Sequence, residues 1–189
     1  MKIGIIGSGF VGATAAYAIM MRKGASEIVL IDRNEDKAKA GSADIRYASP
    51  FVHPVNIYAG SYKNLNHSDL IIITAGISQK PGQSRLELLQ KNAEILKDIL
   101  HQVMAHSSGA LILIATNPVD VMTHIAVKYA EKQGHPKHKI FGTGTTLDTA
   151  RFRSLLGNHI GVDPNHVHGY VIGEHGDSEV LTWSTLMTR

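Results

Sequence analysis

The chain has 189 residues, 43% of them hydrophobic, which is enough for one sizeable core. No apolar run approaches the roughly 20 residues of a membrane span, and the 16 acidic residues among 19 basic ones leave no basic stripe for nucleic acid. The absence of cysteine excludes disulfides and thiol catalysis, and Met1-Lys2 leads directly into an apolar run, so we expect a cytoplasmic protein without a signal peptide.

A glycine-rich segment near the amino terminus is the strongest pattern in the chain. An apolar run precedes the motif GSGFVG, and an alanine-rich helical stretch follows it. In a strand–turn–helix of this kind Gly7 permits the tight turn, Gly9 lets the backbone approach a pyrophosphate, and Gly12 lets the helix pack against the strand. A second apolar run ends at Asp32, about 20 residues after Gly12, where an acid binds the adenosine ribose. The pattern predicts an NAD site, because Asp32 would repel the 2′-phosphate of NADP.

The next segments alternate predicted helices with short apolar strands. Asn34 is predicted to cap a helix that ends near Tyr47. Further strands are predicted at 55–59, 70–74, 110–115 and 139–141, and further helices at about 86–100 and 119–133. Six strands with intervening helices make two βαβαβ halves. Residues 1–142 are therefore predicted to form a Rossmann-type α/β domain with a doubly wound parallel sheet.

The predicted elements change in character after residue 142. The pattern predicts a helix over 145–156 ended by Gly157, a strand over 167–172 and a helix start near Trp183. Because so short a segment cannot form an independent core, residues 143–189 are predicted to be the first part of an α+β substrate domain, cut off inside it. Most of the 11 histidines are expected to be solvated, including His53, His67, His101, His106, His135 and His138.

Five polar residues at or just beyond predicted strand ends carry the candidate chemistry: Arg85, Asn117, Asp148, Arg151 and His175. Each has an ordinary structural explanation when it is considered singly. Asp148 and Arg151 fit a helix-surface pair at i, i+3, and a lone histidine is more often structural than catalytic. Their common position at the carboxyl ends of strands, where open α/β sheets bind ligands, favours a functional explanation.

Together these segments resemble the L-lactate and malate dehydrogenase family. The resemblance runs from residue 3 to the end of the chain. A family chain continues well past position 189, so we expect this chain to lack the rest of the substrate domain. The matching stretches are GSGFVG at 7–12, Asp32, AGISQKPGQSR at 75–85, ATNPVD at 115–120, GTGTTLDTARFR at 142–153 and IGEHGD at 172–177.

The resemblance implies an NAD-dependent enzyme that reduces pyruvate reversibly to L-lactate by direct hydride transfer, without a metal. His175 would be the acid/base, and Asp148 would orient its ring and favour the imidazolium form. Arg151 would grip the substrate carboxylate through two parallel hydrogen bonds. Arg85 would polarise the ketone from a mobile loop. Asn117 would hydrogen-bond the reacting oxygen, and its peptide bond to the following proline would be compatible with the cis form.

Gln79 would choose the substrate. Malate-type members have an arginine at this position, which pairs with a second carboxylate, whereas a neutral glutamine leaves room for the methyl group of pyruvate. The resemblance also implies further contacts to the cofactor, at Val11, Lys37, Tyr62, Gly76, Ile77, Asn117 and Thr143.

Three other functions stay open at this point. A malate or other 2-hydroxy acid dehydrogenase is the nearest, and Gln79 argues against it. An NAD-dependent glycosidase shares the opening glycine motif but needs a metal site. The third is an NAD-binding chain without activity.

Arg153 and His168 form a separate candidate site. Arg153 lies two residues past Arg151, roughly 200° around a helix, so the two side chains face nearly opposite directions. Spacing alone favours two solvated residues. Bacterial L-lactate dehydrogenases that fructose 1,6-bisphosphate activates carry an arginine and a histidine at these positions, so the resemblance implies a phosphate-binding allosteric site. The two residues would pair across a subunit interface of a homotetramer.

Overall fold

A six-stranded parallel sheet organises the first 142 residues of the computed structural model, which describes residues 1–77, 82, 84–107 and 109–188. The strands run in the spatial order three, two, one, four, five, six, and each neighbouring pair is parallel. This order confirms the doubly wound fold predicted from the sequence, whose strand order reverses beside the first strand. The strands are Lys2–Ile6 (β1), Glu27–Ile31 (β2), Asn56–Ala59 (β3), Leu70–Ile73 (β4), Leu111–Ile114 (β5) and Ile140–Gly142 (β6).

Helices cover both faces of this sheet: Phe10–Met21 (α1), Glu35–Arg46 (α2), Arg85–His106 (α3) and Val119–Lys132 (α4). Ile72 of β4 packs into the apolar cluster that contains α1 and α2, whereas Ile71 and Ile73 pack into the cluster that contains α3 and α4. Because both faces are buried, the strands read in sequence as continuous apolar runs. Short 3-10 turns lie at Ser49–Phe51, Tyr62–Leu65 and Lys137–Lys139.

Side-chain caps begin two of these helices. Asn34 Oδ1 accepts a hydrogen bond from Lys37 N (3.1 Å), which confirms the predicted start of α2. At the start of α3, Ser84 Oγ accepts from Glu87 N and the Glu87 carboxylate accepts from Ser84 N, both at 3.2 Å. This reciprocal capping box sets the position at which Arg85 enters the helix.

The segment after residue 142 packs a fifth helix against two small antiparallel strand pairs. Val167–His168 (β7) pairs with Met187–Thr188 (β10), and Val171–Ile172 (β8) pairs with Val180–Leu181 (β9). 3-10 turns occur at Pro164–His166 and Trp183–Thr185. The fifth helix is Thr146–Ile160 (α5).

Three sequence predictions for this segment are wrong. The fifth helix does not end at Gly157; it continues to Ile160, and Gly161 caps it in the left-handed conformation (φ 70°). Gly157 is buried inside the helix, where a Cβ would lie 2.6 Å from the carbonyl oxygen of Val162. Gly157 therefore lets the segment after the helix pack closely against it, and it does not end the helix.

The strand predicted over 167–172 is split into β7 and β8, because its two halves pair with different partners. At Gly169, between them, a Cβ would lie 2.8 Å from the Phe152 ring, so the backbone passes directly over that ring. The predicted helix start near Trp183 is a 3-10 turn instead. Its indole packs edge-on against Phe152, with ring centroids 5.0 Å apart.

Three of the histidines expected in solvent, His53, His106 and His135, are at least partly buried. His135 is 9% exposed, and His53 is half-buried with Nε2 2.9 Å from the carbonyl oxygen of Ala25. Polar neighbours in sequence did not reveal these tertiary contacts. Across the described ranges, no helix has both the length and the apolar character required to cross a membrane.

Candidate active site

The turn between β1 and α1 forms a cradle that depends on glycines. Gly7 has φ +104°, and a Cβ there would lie 2.6 Å from the backbone nitrogen of Ala75. A Cβ on Gly12 would lie 1.9 Å from the carbonyl oxygen of Gly7. Gly9 occupies the N-cap position of α1 and has no side chain to cap it, so the first N–H groups of the helix can serve an anion. This geometry fits the pyrophosphate of a dinucleotide.

Asp32 lies beside this cradle as a carboxylate held by hydrogen bonds. Its Oδ2 accepts from Ser8 N (2.8 Å) and Ser8 Oγ (3.0 Å), and its Oδ1 accepts from Asn34 N (3.0 Å). Burial raises the pKa of Asp32, but these hydrogen bonds and the charge of Lys37 outweigh burial and hold the pKa below its ordinary value. A carboxylate charged at neutral pH suits a ribose hydroxyl and disfavours a 2′-phosphate. The sequence did not single out Ser8, which orients it.

Ile77 and Gly76 lie just past β4, where a buried residue holds the backbone. Asn92 of α3, only 3% exposed, accepts from Ile77 N through Oδ1 (2.9 Å) and donates through Nδ2 to Ile77 O (3.4 Å). A Cβ on Gly76 would lie 2.8 Å from Thr116 Cγ2. Sequence reasoning missed Asn92, since only the fold brings α3 against this loop.

The other predicted cofactor contacts have more varied surroundings. Val11, in the first turn of α1, is 62% exposed. Lys37 Nζ lies 3.9 Å from the position that a Cβ on Gly9 would occupy, so its charge is close to the cradle. Thr143 N donates to Ile114 O (3.0 Å) at the end of β5. Tyr62 packs against the cluster of α3 and α4, where burial, together with the charge of Asp98, raises its pKa.

His175 lies in the loop between β8 and β9 and is bound at two points. Its Nδ1 is 2.5 Å from Asp148 Oδ2, and its backbone N donates to Asp120 Oδ2 (2.8 Å). Asp148 is 7% exposed and uses its other oxygen to accept from Arg151 NH1 (3.4 Å). The Arg151 side chain is 63% exposed, so most of its donors remain available to a ligand.

Two threonines of α5 and its cap hold the strand that leads to His175. Thr145 Oγ1 donates to Val171 O (2.6 Å), and Val171 N donates to Thr149 Oγ1 (3.0 Å). These bonds tie β8 to the helix that carries Asp148. The strand that leads to His175 and the helix that carries Asp148 are therefore held together by the same hydrogen bonds.

Hydrogen bonds also join the carboxyl ends of the central strands. Thr74 Oγ1, after β4, donates to Gly7 O (2.8 Å), and Thr116 Oγ1, after β5, donates to Ala75 O (2.7 Å). Asp120 stands in the first turn of α4, which follows β5. Through Asp120, His175 is tied to the start of the helix that follows β5, at the edge of the sheet where the glycine cradle lies.

Asn117 lies three residues past the end of β5 and is exposed. Its peptide bond to Pro118 is cis, in agreement with the expectation from the sequence. The backbone of Arg85 forms the first position of α3. The side chain of Arg85 lies outside the described part of the structure, as does Gln79.

Arg153 and His168 lie apart from these residues. Arg153 is half-buried, and its NH2 donates to the carbonyl oxygens of Pro164 (3.4 Å) and Asn165 (3.5 Å). The turn formed by those residues leads into β7, where His168 is also half-buried. Arg151, in contrast, pairs with Asp148, so the two arginines serve different surroundings, as the helical geometry predicted.

The glycine cradle and the ionised aspartate at the end of the second strand define a dinucleotide-binding α/β protein, with a histidine–aspartate pair near the same sheet edge. Residues 1–142 match the family model described as lactate/malate dehydrogenase, NAD binding domain. Residues 145–188 match the model described as lactate/malate dehydrogenase, alpha/beta C-terminal domain. The chain belongs to the lactate/malate dehydrogenase family, and its cofactor is NAD.

Curated relatives and solved structures agree with this assignment. The chain is 53% identical over 186 residues to an L-lactate dehydrogenase of Geotalea daltonii, covering 98% of this chain and 59% of the relative. It is 54% identical over 185 residues to an L-lactate dehydrogenase of Chloroherpeton thalassium, with coverage of 98% and 60%. The chain thus spans about three-fifths of the length of these relatives.

Two similar structures carry different names. The minor L-lactate dehydrogenase from Enterococcus mundtii superposes with a TM-score of 0.92 at 42% identity. The malate dehydrogenase from Picrophilus torridus superposes with a TM-score of 0.93 at 32% identity. Each comparison covers 99% of this chain and 59% of the solved chain. The shared fold therefore does not discriminate between the two substrates.

Proposed function

We propose that this protein is an NAD-dependent L-lactate dehydrogenase that reduces pyruvate reversibly to L-lactate. One observation carries the proposal: His175 is paired with a buried aspartate and tied to the same sheet edge as the glycine cradle. Residues 1–142 would form the NAD-binding domain, and residues 143–189 the amino-terminal part of the substrate domain. The names of the curated relatives support lactate over malate.

The chemistry follows from which atoms of the candidate site are free. Bound NADH supplies the hydride. Because Nδ1 of His175 faces Asp148, the other ring nitrogen, Nε2, is the one that gives its proton to the ketone oxygen and takes it back in the reverse direction. Asp148 keeps the ring in the tautomer and orientation that this transfer requires.

Two arginines and an asparagine would handle the substrate. Arg151 binds the carboxylate with its exposed guanidinium, in the bidentate geometry that lysine cannot provide. Arg85 polarises the ketone and Asn117 donates to the same oxygen, so that negative charge developing there is stabilised. Gln79 accepts a methyl group and offers no charge to a second carboxylate.

The assay follows NADH oxidation by the purified protein with pyruvate, with oxaloacetate and with neither. We expect kcat/KM to favour pyruvate in the wild type, and Gln79→Arg to shift the ratio towards oxaloacetate by roughly tenfold or more. His175→Asn should nearly abolish turnover while NADH binding, measured by fluorescence, persists. A wild type that prefers oxaloacetate, or a ratio that Gln79→Arg leaves unchanged, would contradict the proposed specificity.

We also infer that Arg153 and His168 form an allosteric anion site for fructose 1,6-bisphosphate in a cytoplasmic homotetramer of glycolysis and pyruvate fermentation. Their common location around the Pro164–His166 turn, away from the Arg151 pair, supports a second site.

An exposed apolar face on α1 supports association of several copies, since Phe10 is 97% exposed and Tyr17 and Met21 are 46% and 45% exposed.

A further inference from the structure

Asp120 makes a contact that neither sequence spacing nor the proposed reaction requires. Its Oδ2 accepts from the backbone N–H of His175 at 2.8 Å, across 55 residues of sequence. Asp120 is half-buried in the first turn of α4, two residues past Pro118. The bond therefore connects the helix that follows β5 to the loop that carries the histidine.

Inside the histidine loop, Ser178 Oγ donates to Glu174 Oε2 (2.6 Å) and Glu179 N donates to Gly176 O (3.1 Å), but neither bond involves His175. The flanking strands β8 and β9 have two residues each, and so short a hairpin is marginal without support. Gly173 begins the loop with φ +94°, and Glu174, Gly176 and Asp177 are exposed. The hydrogen bonds of Thr145 and Thr149 to Val171 restrain the chain only up to the beginning of the loop.

Two hydrogen bonds, one to the backbone and one to the ring, restrain His175 more fully than the ring contact alone. A ring held only through Nδ1 can rotate about its contact with Asp148, and this rotation changes the position of Nε2. A carboxylate that binds the backbone N–H also restrains the Cα of the histidine. Both the backbone end of the side chain and Nδ1 of the ring are then fixed. A carboxylate acceptor strengthens this restraint on the backbone, because hydrogen bonds with an ionised partner are roughly twice as strong as neutral ones.

We propose that Asp120 is a positioning residue that sets the location of His175 Nε2 relative to Asn117 and the dinucleotide domain. It acts through the backbone of the histidine, whereas Asp148 acts through the ring. This inference rests on the proposed dehydrogenase function. Its alternative is a purely structural acid that stabilises the positive end of α4.

Three variants separate these roles. Asp120→Ala removes the acceptor, and Asp120→Asn keeps an acceptor oxygen at similar size without the charge. Asp36→Ala is the matched control, because Asp36 is also an acid in the first turn of a helix, is exposed and pairs only with Lys39 among the described residues.

Activity is the first measurement. Displacements of about 1 Å can cost about 100-fold in rate, so we expect Asp120→Ala to lower kcat at least tenfold with little change in the KM for NADH. Asp120→Asn should recover kcat to within about threefold of the wild type, and Asp36→Ala should match the wild type. Equal kcat in all four proteins, or losses in both Asp120 variants that follow their losses in unfolding free energy, would overturn the proposal.

Hydrogen exchange of the His175 backbone amide, measured by NMR on the 189-residue chain, does not depend on activity. We expect protection in the wild type and in Asp120→Asn, with at least tenfold faster exchange in Asp120→Ala. Unchanged exchange in Asp120→Ala would overturn the positioning role whatever the enzyme assays give. If exchange behaves as expected but no protein oxidises NADH with pyruvate, the proposed function fails and the backbone anchor stands.

Discussion

Gly12 determines how closely α1 approaches β1. It is buried, and a Cβ there would lie 1.9 Å from the carbonyl oxygen of Gly7 and 2.9 Å from Thr74 Oγ1. The first of these atoms is backbone, and the second is held by its own hydrogen bond to Gly7. Neither can move away without disturbing the cradle for the dinucleotide.

We therefore predict that Gly12→Ala lowers the free energy of unfolding by about 1–3 kcal/mol, the usual range for overpacking, and strongly weakens NADH binding. Urea unfolding and fluorescence titration measure the two effects. The control is Gly41→Ala, inside α2, where a Cβ meets nothing within 4 Å. That variant should gain up to about 1 kcal/mol from helix propensity alone. Wild-type NADH affinity in Gly12→Ala would contradict the close approach.

At the scale of elements, the carboxyl-terminal end of α4 carries a buried titratable group. His135 follows the helix, donates from its backbone N to Ala130 O (2.9 Å) and is 9% exposed. Burial lowers the pKa of His135 below its ordinary value of 6.5, and the charges of Lys139 and His138 lower it further. The folded chain therefore resists protonation that the unfolded chain accepts.

This lowered pKa gives a pH dependence with a definite sign. The stabilising contribution is complete above pH 6.5, where the unfolded histidine is neutral, and it is lost as the pH falls from there through the lowered pKa. We predict that the wild type loses more unfolding free energy between pH 7.5 and pH 5.5 than His135→Gln does. Urea unfolding at the two pH values measures this, with the exposed His101→Gln as control. If His135→Gln has the same pH slope as the wild type, the buried-histidine explanation is wrong.

At the scale of the whole molecule, the two candidate sites occupy different sides of α5. Arg151 faces Asp148, and Arg153 faces the turn before β7. In the proposed homotetramer, a ligand at the second site would influence the first by favouring one arrangement of subunits over another. Such coupling is reciprocal, so pyruvate should tighten bisphosphate binding as much as the bisphosphate tightens pyruvate binding.

We predict that fructose 1,6-bisphosphate lowers the apparent KM for pyruvate in the wild type by roughly fivefold or more. Arg153→Gln combined with His168→Gln should abolish this response and keep the maximal rate. Pyruvate saturation curves with and without the bisphosphate measure it, and light scattering reports the number of associated copies. Arg22→Gln with His159→Gln, which removes the same residue types from exposed positions, should respond like the wild type. An unresponsive wild type would refute the site.

The sequence by itself determined the elements whose signals are local. Apolar runs, helix periodicity and the glycine turn act over a few residues, so the doubly wound sheet, the capped start of α2 and the cradle at Gly7 were predictable. The family motifs also identified His175, Asp148 and Arg151 as candidates, and their roles remain predictions.

The tertiary structure alone decided which distant groups meet. The bonds from Asp120 to His175, from Asn92 to Ile77 and from Thr149 to Val171 join segments 55, 15 and 22 residues apart. Such contacts leave no periodicity in sequence, because they depend on how helices pack against the sheet. The same physics explains the misplaced end of α5: a glycine required by close packing and a glycine that ends a helix look alike until the neighbouring backbone is in place.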